Sequence, residues 1–496
     1  IRDRKYPYYT MKGKDMQEKI SFLGKFHFTW KKVLFSLVLL YIAALVIPYI
    51  PHKKVKEDFK HSFKAMNFYS PIAGTERIAY INDNTDALKY RLRMIEEAQK
   101  EIILSTFDFN DDRAGRELLS SLIHAADRGV SVRLIIDGTS GFLDVRTSPW
   151  FQAAASHKNL EIRIYNPINF LKPWKMQARL HDKYMIVDEK MFLLGGRNSN
   201  NLFLGDYTSA QNIDRELFVY ETTKDEHSSL YQLRSYFENI WALKDSKNFS
   251  CRKMTDKVKS CDVKLKKQYD KLAEQYPSTR EEWDWEALTL ETNKVSLLSN
   301  PINTGNKEPQ MWYSIHQLLM TGKQATIYTP YIICGKEMYD DLTTLKEKDI
   351  SVEIITNDVA KGANPWGCTD YLNQKKNIWA TGAKVYEYMA PHSCHTKAVM
   401  IDDRMTILGS YNLDMRSTYQ DTELMLAVDC PELNALIRKE AEHDKTCSKV
   451  MENGTYQYGE NYKEKKLSVG KKLFYAVLRV VVIPCLLYTS PSPRDA

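Results

Sequence analysis

The sequence contains the same long pattern twice, and this internal repeat constrains the fold more than any other feature. In the first half, the β-rich runs KEIILSTFDF (100–109) and VSVRLIIDG (130–138) flank a helical pattern. In the second half, KQATIYTPYI (323–332) and ISVEIITND (350–358) do the same. Short β-rich runs that alternate with longer helical runs are typical of α/β proteins. We therefore predict an α/β fold of two tandem halves, each a mixed β-sheet flanked by helices, related by a pseudo-twofold axis.

Each half also carries the same polar motif, His-x-Lys-x-x-x-x-Asp, inside HDKYMIVDEKMFLLGGRN and HTKAVMIDDRMTILGSYN. In both copies, Gly-Gly or Gly-Ser follows seven residues after the Asp, and an Asn follows ten residues after it. An Asp-x-Glu-Leu element comes later in each half. The residues concerned are His181, Lys183, Asp188, Gly196, Asn198 and Glu216 in the first half, and His395, Lys397, Asp402, Ser410, Asn412 and Glu423 in the second. Two copies with one spacing in a repeated frame exclude a chance match.

The spacing of the motif predicts which side chains act together. Residues two apart on a strand point to the same face, so His181 and Lys183 project together, as do His395 and Lys397. An apolar run carries each strand on into the core before the aspartate is reached. We interpret the two aspartates, although they belong to the motif, as mainly structural residues that tie a turn to the backbone.

Two His-Lys pairs that face each other across a cleft suit a phosphate diester. The lysines neutralise its non-bridging oxygens, one neutral imidazole attacks phosphorus, and the other, protonated, gives its proton to the leaving alcohol. Asn198 and Asn412 are predicted amide donors, with Gly196 and Ser410 beside them in the substrate-binding set. This chemistry requires no metal and no cofactor, and the sequence shows no cluster of metal ligands. Carboxylates that fix the histidine tautomers are also expected, with Glu216 and Glu423 as the candidates.

This constellation resembles the phospholipase D superfamily, and the likeness covers most of residues 70–450. Within it, the runs AADRGVSVRLIIDG and RIYNP, and the GGRN after the first motif, are most similar to bacterial cardiolipin synthases of the C type. The resemblance implies phospholipase D-like halves, a nucleophilic histidine from the N-terminal motif, and carboxylate partners that cross between halves. Carried over, it pairs His181 with Glu423 and His395 with Glu216. The N-terminal apolar segment and a Lys-rich insertion depart from that subgroup and leave the substrate pair open.

An apolar run at 33–50 contains no charge and is just long enough to cross a hydrocarbon core as a helix. A buried soluble helix and a cleaved signal peptide are the alternatives, and the flanking lysines and the long preceding segment argue against both. We expect a single-pass protein of the bacterial cell membrane. Similar numbers of lysines flank the two ends of the run, so they do not decide which side of the membrane the protein body occupies. The cysteines, which lack Cys-x-x-Cys pairs, favour a cytoplasmic body.

The remaining boundaries follow from composition. The predicted segments are a polar basic segment at 1–32, a transmembrane helix at 33–50, a first domain at 67–247, a Lys-rich connector at 248–291, a second domain at 292–450, and a tail at 451–496 with an apolar segment at 473–488. Cys251 and Cys261 are the pair for which a disulfide is plausible. The chain begins at Ile1, so we expect its natural start upstream, and the final LLYTSPSPRDA has the character of non-native sequence.

These features together predict a membrane-anchored phosphatidyltransferase, similar to a cardiolipin synthase. It would form a phosphatidyl-histidine and pass the phosphatidyl group to phosphatidylglycerol, with phosphatidylethanolamine as another possible donor. A phospholipase D that uses water is the alternative, ahead of a nuclease or phosphodiesterase. A net charge of +7 over 496 residues is too mild for a nucleic-acid partner, and two intact motifs disfavour an inactive scaffold. The segment 169–180 mixes Phe, Leu and Trp with Lys and Arg, which suits anionic head groups. The oligomeric state stays open.

Overall fold

The computed structural model describes residues 13–362 and 364–481, and in it each half of the repeat forms a mixed β-sheet. The strands of the first half are β1 (Glu76–Ile81), β2 (Glu101–Thr106), β3 (Ser131–Asp137), β4 (Leu160–Tyr165), β5 (Tyr184–Val187), β6 (Met191–Gly195), β7 (Asn212–Ile213), β8 (Glu216–Glu221), β9 (Ser246–Phe249) and β10 (Leu290–Glu291). Those of the second half are β11 (Lys294–Ser299), β12 (Gln324–Tyr328), β13 (Ser351–Asn357), β14 (Lys384–Tyr388), β15 (Ser393–Cys394), β16 (Ala398–Ile401), β17 (Met405–Gly409), β18 (Leu424–Asp429), β19 (Ser448–Glu452) and β20 (Thr455–Tyr458).

Apart from one extra edge strand in each, the two sheets have the same strand order. The first runs β10-β1-β8-β6-β5-β2-β3-β4-β9 and the second β11-β18-β17-β16-β12-β13-β14-β19-β20. In each sheet a parallel trio, β2-β3-β4 or β12-β13-β14, lies beside antiparallel strands. Strands β1 and β11 take equivalent places, so β10 and β20 are additions at opposite edges. This correspondence confirms the predicted α/β repeat.

Helices cover the outer faces of the sheets and fill the space between the halves. They are α1 (Gly13–Val46), α2 (Glu57–Ser62), α3 (Asn84–Glu97), α4 (Arg113–Asp127), α5 (Gly138–Ser140), α6 (Pro149–Ala154), α7 (Ser229–Trp241), α8 (Asp256–Gln275), α9 (Gln310–Leu319), α10 (Lys336–Glu347), α11 (Pro365–Ala380), α12 (Met415–Tyr419), α13 (Pro431–Thr446) and α14 (Val469–Val481). One core lies on the outer face of each sheet. A third core joins the halves and includes Ile78 and Leu217 of the first sheet with Tyr328 and Leu426 of the second.

Helix α4 shows how local sequence sets these elements. It begins after Asp112, whose carboxylate accepts the backbone N–H of Gly115 at 3.1 Å and satisfies a donor at the helix start. Its apolar side chains recur at helical spacing, and Leu118 and Leu122 are fully buried in the first core. Amphipathic spacing and a cap therefore place α4 against the sheet.

The Lys-rich connector forms a helix that packs on the first half and leaves its lysines exposed. Helix α8 packs against α4 and α6 and buries Val258 and Leu265. Strand β10, at the end of the connector, pairs with β1 and extends the first sheet. Cys261 is a buried free thiol and Cys251 is a partly buried one, so the two do not form the disulfide considered above. The second sheet likewise continues past residue 450, to Tyr458.

Helix α1 contains most of the predicted membrane span. Trp30–Tyr49 is long and apolar enough to cross a membrane, and α1 begins earlier than expected, at Gly13, and ends at Val46. A 3-10 turn, Ile47–Tyr49, follows it and reaches the protein body, where the Tyr49 hydroxyl donates to the carbonyl of Trp174 at 2.9 Å. The Tyr41 hydroxyl lies 3.7 Å from the sulfur of Met176. The apolar stretch therefore ends against the segment that leads to the first motif.

The C-terminal apolar segment forms helix α14 as far as it is described. Tyr475 and Leu478 are buried against the second core, whereas Leu473 and Val477 are exposed. The helix contacts α11, and the Arg479 guanidinium donates to Asn373 at 2.8 Å. One face of α14 is therefore packed against the second half, and the other face is exposed. The rest of 473–488, the final LLYTSPSPRDA and residues 1–12 lie outside the described residues.

Both motif aspartates lie on tight turns at the far ends of their strands. Asp188 has φ 52° and Asp402 has φ 48°, values that Asp tolerates better than most residues. The Asp188 carboxylate accepts three backbone N–H groups at the start of β2, and that of Asp402 accepts two at the start of β12. These contacts agree with the structural interpretation of both motif aspartates and place neither carboxylate beside a motif histidine.

Replacing Asp188 with alanine should reduce stability and leave the chemistry intact. The strand end would lose its charged acceptor, at a cost of about 1–3 kcal/mol. We expect a lower Tm for the detergent-solubilised chain, with turnover per folded molecule unchanged below that Tm. Asp403→Ala, at an exposed position in the equivalent turn of the second half, is the control and should change neither quantity. Lost turnover at an unchanged Tm would contradict the structural role.

Candidate active site

Each motif histidine is held by the opposite half of the molecule. Leu180 forms a parallel bridge with Thr422, and the backbone N–H of His181 donates to the Thr422 hydroxyl at 3.1 Å. In the reciprocal contact, β15 pairs with β7, and the N–H of His395 donates to the carbonyl of Ile213 at 2.7 Å. The segment before each motif therefore pairs with the Asp-x-Glu-Leu region of the other half, as a pseudo-twofold relation requires.

His181 forms the expected pair with Glu423. Its Nδ1 lies 2.9 Å from the Glu423 carboxylate, which also accepts the hydroxyl of Ser417 at 2.6 Å and that of Ser410. The Phe107 ring packs edge-on against the imidazole, with ring centroids 5.3 Å apart. Because Nδ1 faces the carboxylate, Nε2 is the nitrogen left for a substrate.

His395 is paired with Asp214 and not with Glu216. Its Nδ1 lies 2.6 Å from the Asp214 carboxylate, and the Phe203 ring packs edge-on at 4.9 Å. The pairing with Glu216 implied by the family resemblance is therefore wrong. Asp214 belongs to the same Asp-x-Glu-Leu element, so the sequence marked the correct element and the wrong carboxylate.

Two buried arginines explain this exchange. Arg91 holds the Glu216 carboxylate with two hydrogen bonds, at 2.6 and 2.8 Å, and Arg197 lies 3.4 Å from it. Glu216 is thereby committed to an interior ion cluster. The approach of Asp214 also requires Gly196, because a Cβ at that position would lie 2.5 Å from the Asp214 carboxylate.

Gly196 and Ser410 take equivalent positions, and each lies against a carboxylate; the predicted role of the two in binding substrate stays a prediction. Gly196 leaves room for Asp214, whereas the Ser410 hydroxyl donates to Glu423. Asn198 and Asn412 are buried, and the Asn412 amide donates to the Tyr331 hydroxyl at 3.1 Å. A role for the two asparagines in binding substrate stays a prediction.

The motif lysines have matching positions in the two halves. The Lys183 ammonium donates to the carbonyl of His181 at 2.7 Å, and that of Lys397 donates to the carbonyl of His395. The Lys397 ammonium also lies 3.1 Å from Nε2 of His395 and 3.6 Å from Asp214. Each lysine therefore lies beside its histidine, although both residues of each pair precede the strand, which begins at Tyr184 or Ala398.

The four bases share one electrostatic environment. Burial, followed by the charges of Lys183 and Lys397, holds the pKa of His181 well below its usual range. Burial and Lys397 lower the pKa of His395 to about 4. Burial also lowers the pKa of Lys183 to about 7, and the charge of Lys397 acts in the same direction. The pocket thus disfavours its own positive charge, and an anion between the lysines would relieve this cost.

The two carboxylates differ in charge state. Burial raises the pKa of Glu423 well above its ordinary value. Burial opposes ionisation of Asp214 too, but the charges of Lys397 and His395 outweigh it and lower that pKa to about 2. Asp214 is therefore a fixed anion beside His395, whereas Glu423 gives His181 a weaker bias toward the protonated state.

Within residues 13–362 and 364–481, no group of three or more His, Cys, Asp or Glu side chains is placed to hold a metal ion. His181 and His395 each direct one ring nitrogen to a single carboxylate.

Comparisons with known proteins find the same repeat. The family described as cardiolipin synthase, PLD-like domain, matches residues 92–241 and 314–445, one block in each half. Cardiolipin synthase C of Escherichia coli is 24% identical over 396 residues, which cover 72% of this chain and 82% of the relative. A Helicobacter pylori protein named only as uncharacterized is 27% identical over 434 residues, covering 78% of this chain and 80% of that protein.

Solved structures agree at the level of the fold. The crystal structure of phosphatidylserine synthase from Haemophilus influenzae matches with a TM-score of 0.60 and 19% sequence identity. The match covers 86% of this chain and 98% of that structure. At this identity the likeness concerns the fold, and it extends over both halves.

Asp214→Asn should lower turnover by roughly 10²- to 10⁴-fold with little change in Tm, because it removes the anion that stabilises protonated His395. Without that anion His395 loses its proton at lower pH, so the alkaline limb of the kcat–pH profile should move toward acid.

Glu216→Gln should instead lower Tm, since it weakens the hold on Arg91 and Arg197. Reduced turnover at unchanged Tm in Glu216→Gln would reverse the assignment of the two carboxylates.

Proposed function

This chain belongs to the family of cardiolipin synthases with phospholipase D-like domains, and we propose that it is a membrane-anchored phosphatidyltransferase that makes cardiolipin. The observation that carries the proposal is the pair of carboxylate-bound histidines, each beside a buried lysine, at the interface of the two halves. Two imidazoles and two ammonium groups suit a phosphate diester, whose negative charge compensates the buried bases.

In the first step, Nε2 of His181 attacks phosphorus of a donor glycerophospholipid. A phosphorus–nitrogen bond forms while the bond from phosphorus to the head-group oxygen breaks. Protonated His395 transfers its proton to that oxygen, so the head group leaves as a neutral alcohol. Lys183 and Lys397 stabilise the charge on the non-bridging oxygens.

In the second step, a glycerol hydroxyl of phosphatidylglycerol attacks the phosphatidyl-histidine. His395, now neutral, accepts the hydroxyl proton, and the phosphorus–nitrogen bond breaks to restore His181. The products are cardiolipin and the free enzyme. Attack by water at the same point would give phosphatidic acid, the phospholipase D outcome.

The difference between the carboxylates supports this division of roles. A general acid must carry a proton, and the ionised Asp214 opposes the burial and the Lys397 charge that lower the pKa of His395 to about 4. A bound diester anion would favour the imidazolium form further. A nucleophile must be neutral, and a Glu423 with a raised pKa stabilises the imidazolium of His181 less. His181 is therefore the proposed nucleophile, and His395 is the general acid and base.

The anchor gives this chemistry a lipid substrate. The apolar stretch Trp30–Tyr49 contacts Trp174 and Met176, which lie only a few residues before His181. We propose location in the cell membrane with a single span and a cytoplasmic body. The cytoplasmic side is favoured because none of the cysteines in the described residues forms a disulfide.

Product analysis tests transfer against hydrolysis. The purified chain is incubated with phosphatidylglycerol, and lipids are separated by thin-layer chromatography while free glycerol is measured. Transfer predicts cardiolipin and glycerol in equal amounts, with neither from His181→Ala. Phosphatidic acid as the sole lipid product would replace the proposal with a phospholipase D.

A covalent intermediate should be trapped on His181. The His395→Asn variant is given a labelled phosphatidyl donor with a nitrophenolate leaving group, which needs no proton from a general acid. The first step then proceeds while the second lacks its general base, so the labelled phosphatidyl group should accumulate and be located by peptide mass spectrometry. Lys183→Ala should lower the rate roughly 10²-fold or more, the scale of losing one transition-state donor. An adduct on His395 in the wild-type chain would exchange the roles of the two histidines.

Chelation should leave turnover largely intact, because the proposed charge stabilisation comes from lysines and not from a metal ion. Activity is measured on detergent-dispersed phosphatidylglycerol with and without EDTA, where ion effects on a bilayer surface are absent. Loss of activity that a divalent ion restores would show that the reaction requires a metal.

A further inference from the structure

A cleft separate from the reacting atoms lies where the membrane helix meets the body. It has a volume of about 480 Å³, within the range of small-ligand sites. Its lining comes from the loop after β4 and from β9, and it includes Ile168, Phe170, Leu171, Met176, Lys172, Lys175 and Lys247. The cleft is thus part apolar and part cationic.

Three lysines and one carboxylate, Asp245, line the cleft. Lys175 forms an ion pair with Asp245 at 2.9 Å. Lys172 and Lys247 are exposed and form no salt bridge with any residue in the described parts of the chain, although the charge of Lys247 helps to lower the pKa of Asp245. The lining therefore carries a net positive charge, which favours a ligand with negative charge.

The apolar side of the cleft excludes a simple soluble anion as its best occupant. Leu171 is 86% exposed and Phe170 is 57% exposed, fractions that water disfavours for such side chains. Phe170 also packs edge-on against Phe142, with centroids 5.8 Å apart, so the apolar surface is organised. An acyl chain beside an anionic head group would cover both kinds of surface.

The apolar helix near the N-terminus lies beside the cleft. Tyr41 contacts Met176, which lines the cleft, and Tyr49 donates to Trp174 in the same loop. Lysines near an anionic lipid surface attract it by about 1 kcal/mol each. The membrane span proposed above would therefore bring lipid close to this cleft.

One side chain joins the cleft to the active site. The amide of Asn166, a lining residue, donates to the carbonyls of Lys175 and Ala178 at 2.7 and 2.8 Å. The Arg179 guanidinium donates to the carbonyl of Asn166 at 3.1 Å. His181 follows two residues later, so the wall of the cleft and the first motif share one hydrogen-bonded loop.

We propose that this cleft is an accessory binding site for one anionic glycerophospholipid. Lys172 and Lys247 contact its phosphate, and one acyl chain lies along Phe170, Leu171 and Met176. The site holds lipid beside the catalytic loop and takes no part in bond making. Its occupancy is independent of whether the enzyme transfers or hydrolyses phosphatidyl groups.

The test measures binding in the absence of turnover. Full-length His181→Ala protein in detergent is titrated with phosphatidylglycerol, with phosphatidylcholine and with glycerol 3-phosphate, and bound lipid is counted by native mass spectrometry. The test variant adds Lys172→Gln and Lys247→Gln. The control adds Lys264→Gln and Lys267→Gln, two exposed lysines of α8 outside the cleft.

We expect the test variant to bind phosphatidylglycerol about tenfold or more weakly than the control at one site. Phosphatidylcholine binding should be equal in both, and glycerol 3-phosphate should not displace the lipid. Equal phosphatidylglycerol binding in the two variants would overturn the proposal. So would displacement by glycerol 3-phosphate, which would indicate a site for a soluble anion. Both readouts use inactive protein, so neither depends on the proposed reaction.

Discussion

The active site depends on the hydrogen bonds by which each half of the chain holds the motif histidine of the other. The backbone of His181 is fixed by Thr422, and that of His395 is fixed by Ile213. The carboxylate of each pair crosses the same boundary. Neither half alone contains a motif histidine together with its carboxylate. The site therefore forms only where the third core packs the two sheets against each other.

Burial of these charges has an energetic consequence for function. Transfer of ammonium and imidazole groups from water to a protein interior is costly unless a partner or ligand compensates them. The lowered pKa values of His181, His395 and Lys183 report that cost. A diester anion would offset it, and the same arrangement then stabilises charge that grows on the phosphoryl oxygens without reorganisation. The free-energy cost of burying these charged bases and their proposed stabilisation of the transition state therefore have the same electrostatic origin.

The repeat is symmetric in fold and asymmetric in chemistry. The position after the first glycine of each Gly-Gly or Gly-Ser pair is Gly196 in one half and Ser410 in the other. The glycine admits Asp214, and the serine donates to Glu423. This difference accompanies a different carboxylate beside each histidine: Asp214, whose pKa is lowered by Lys397 and His395, and Glu423, whose pKa is raised by burial.

The sequence by itself determined the repeat, the spacing of the His-Lys pairs, the turn aspartates and the apolar segment near the N-terminus, because these patterns can be read directly along the chain. It could not choose between Asp214 and Glu216, which lie two residues apart in one Asp-x-Glu-Leu element. That choice belongs to Arg91, Arg197 and Gly196, which come from other parts of the first half. Tertiary structure likewise decided that α8 joins the first core and that the anchor ends beside a cationic cleft. Both depend on contacts between segments far apart in the chain, and no local pattern records such contacts.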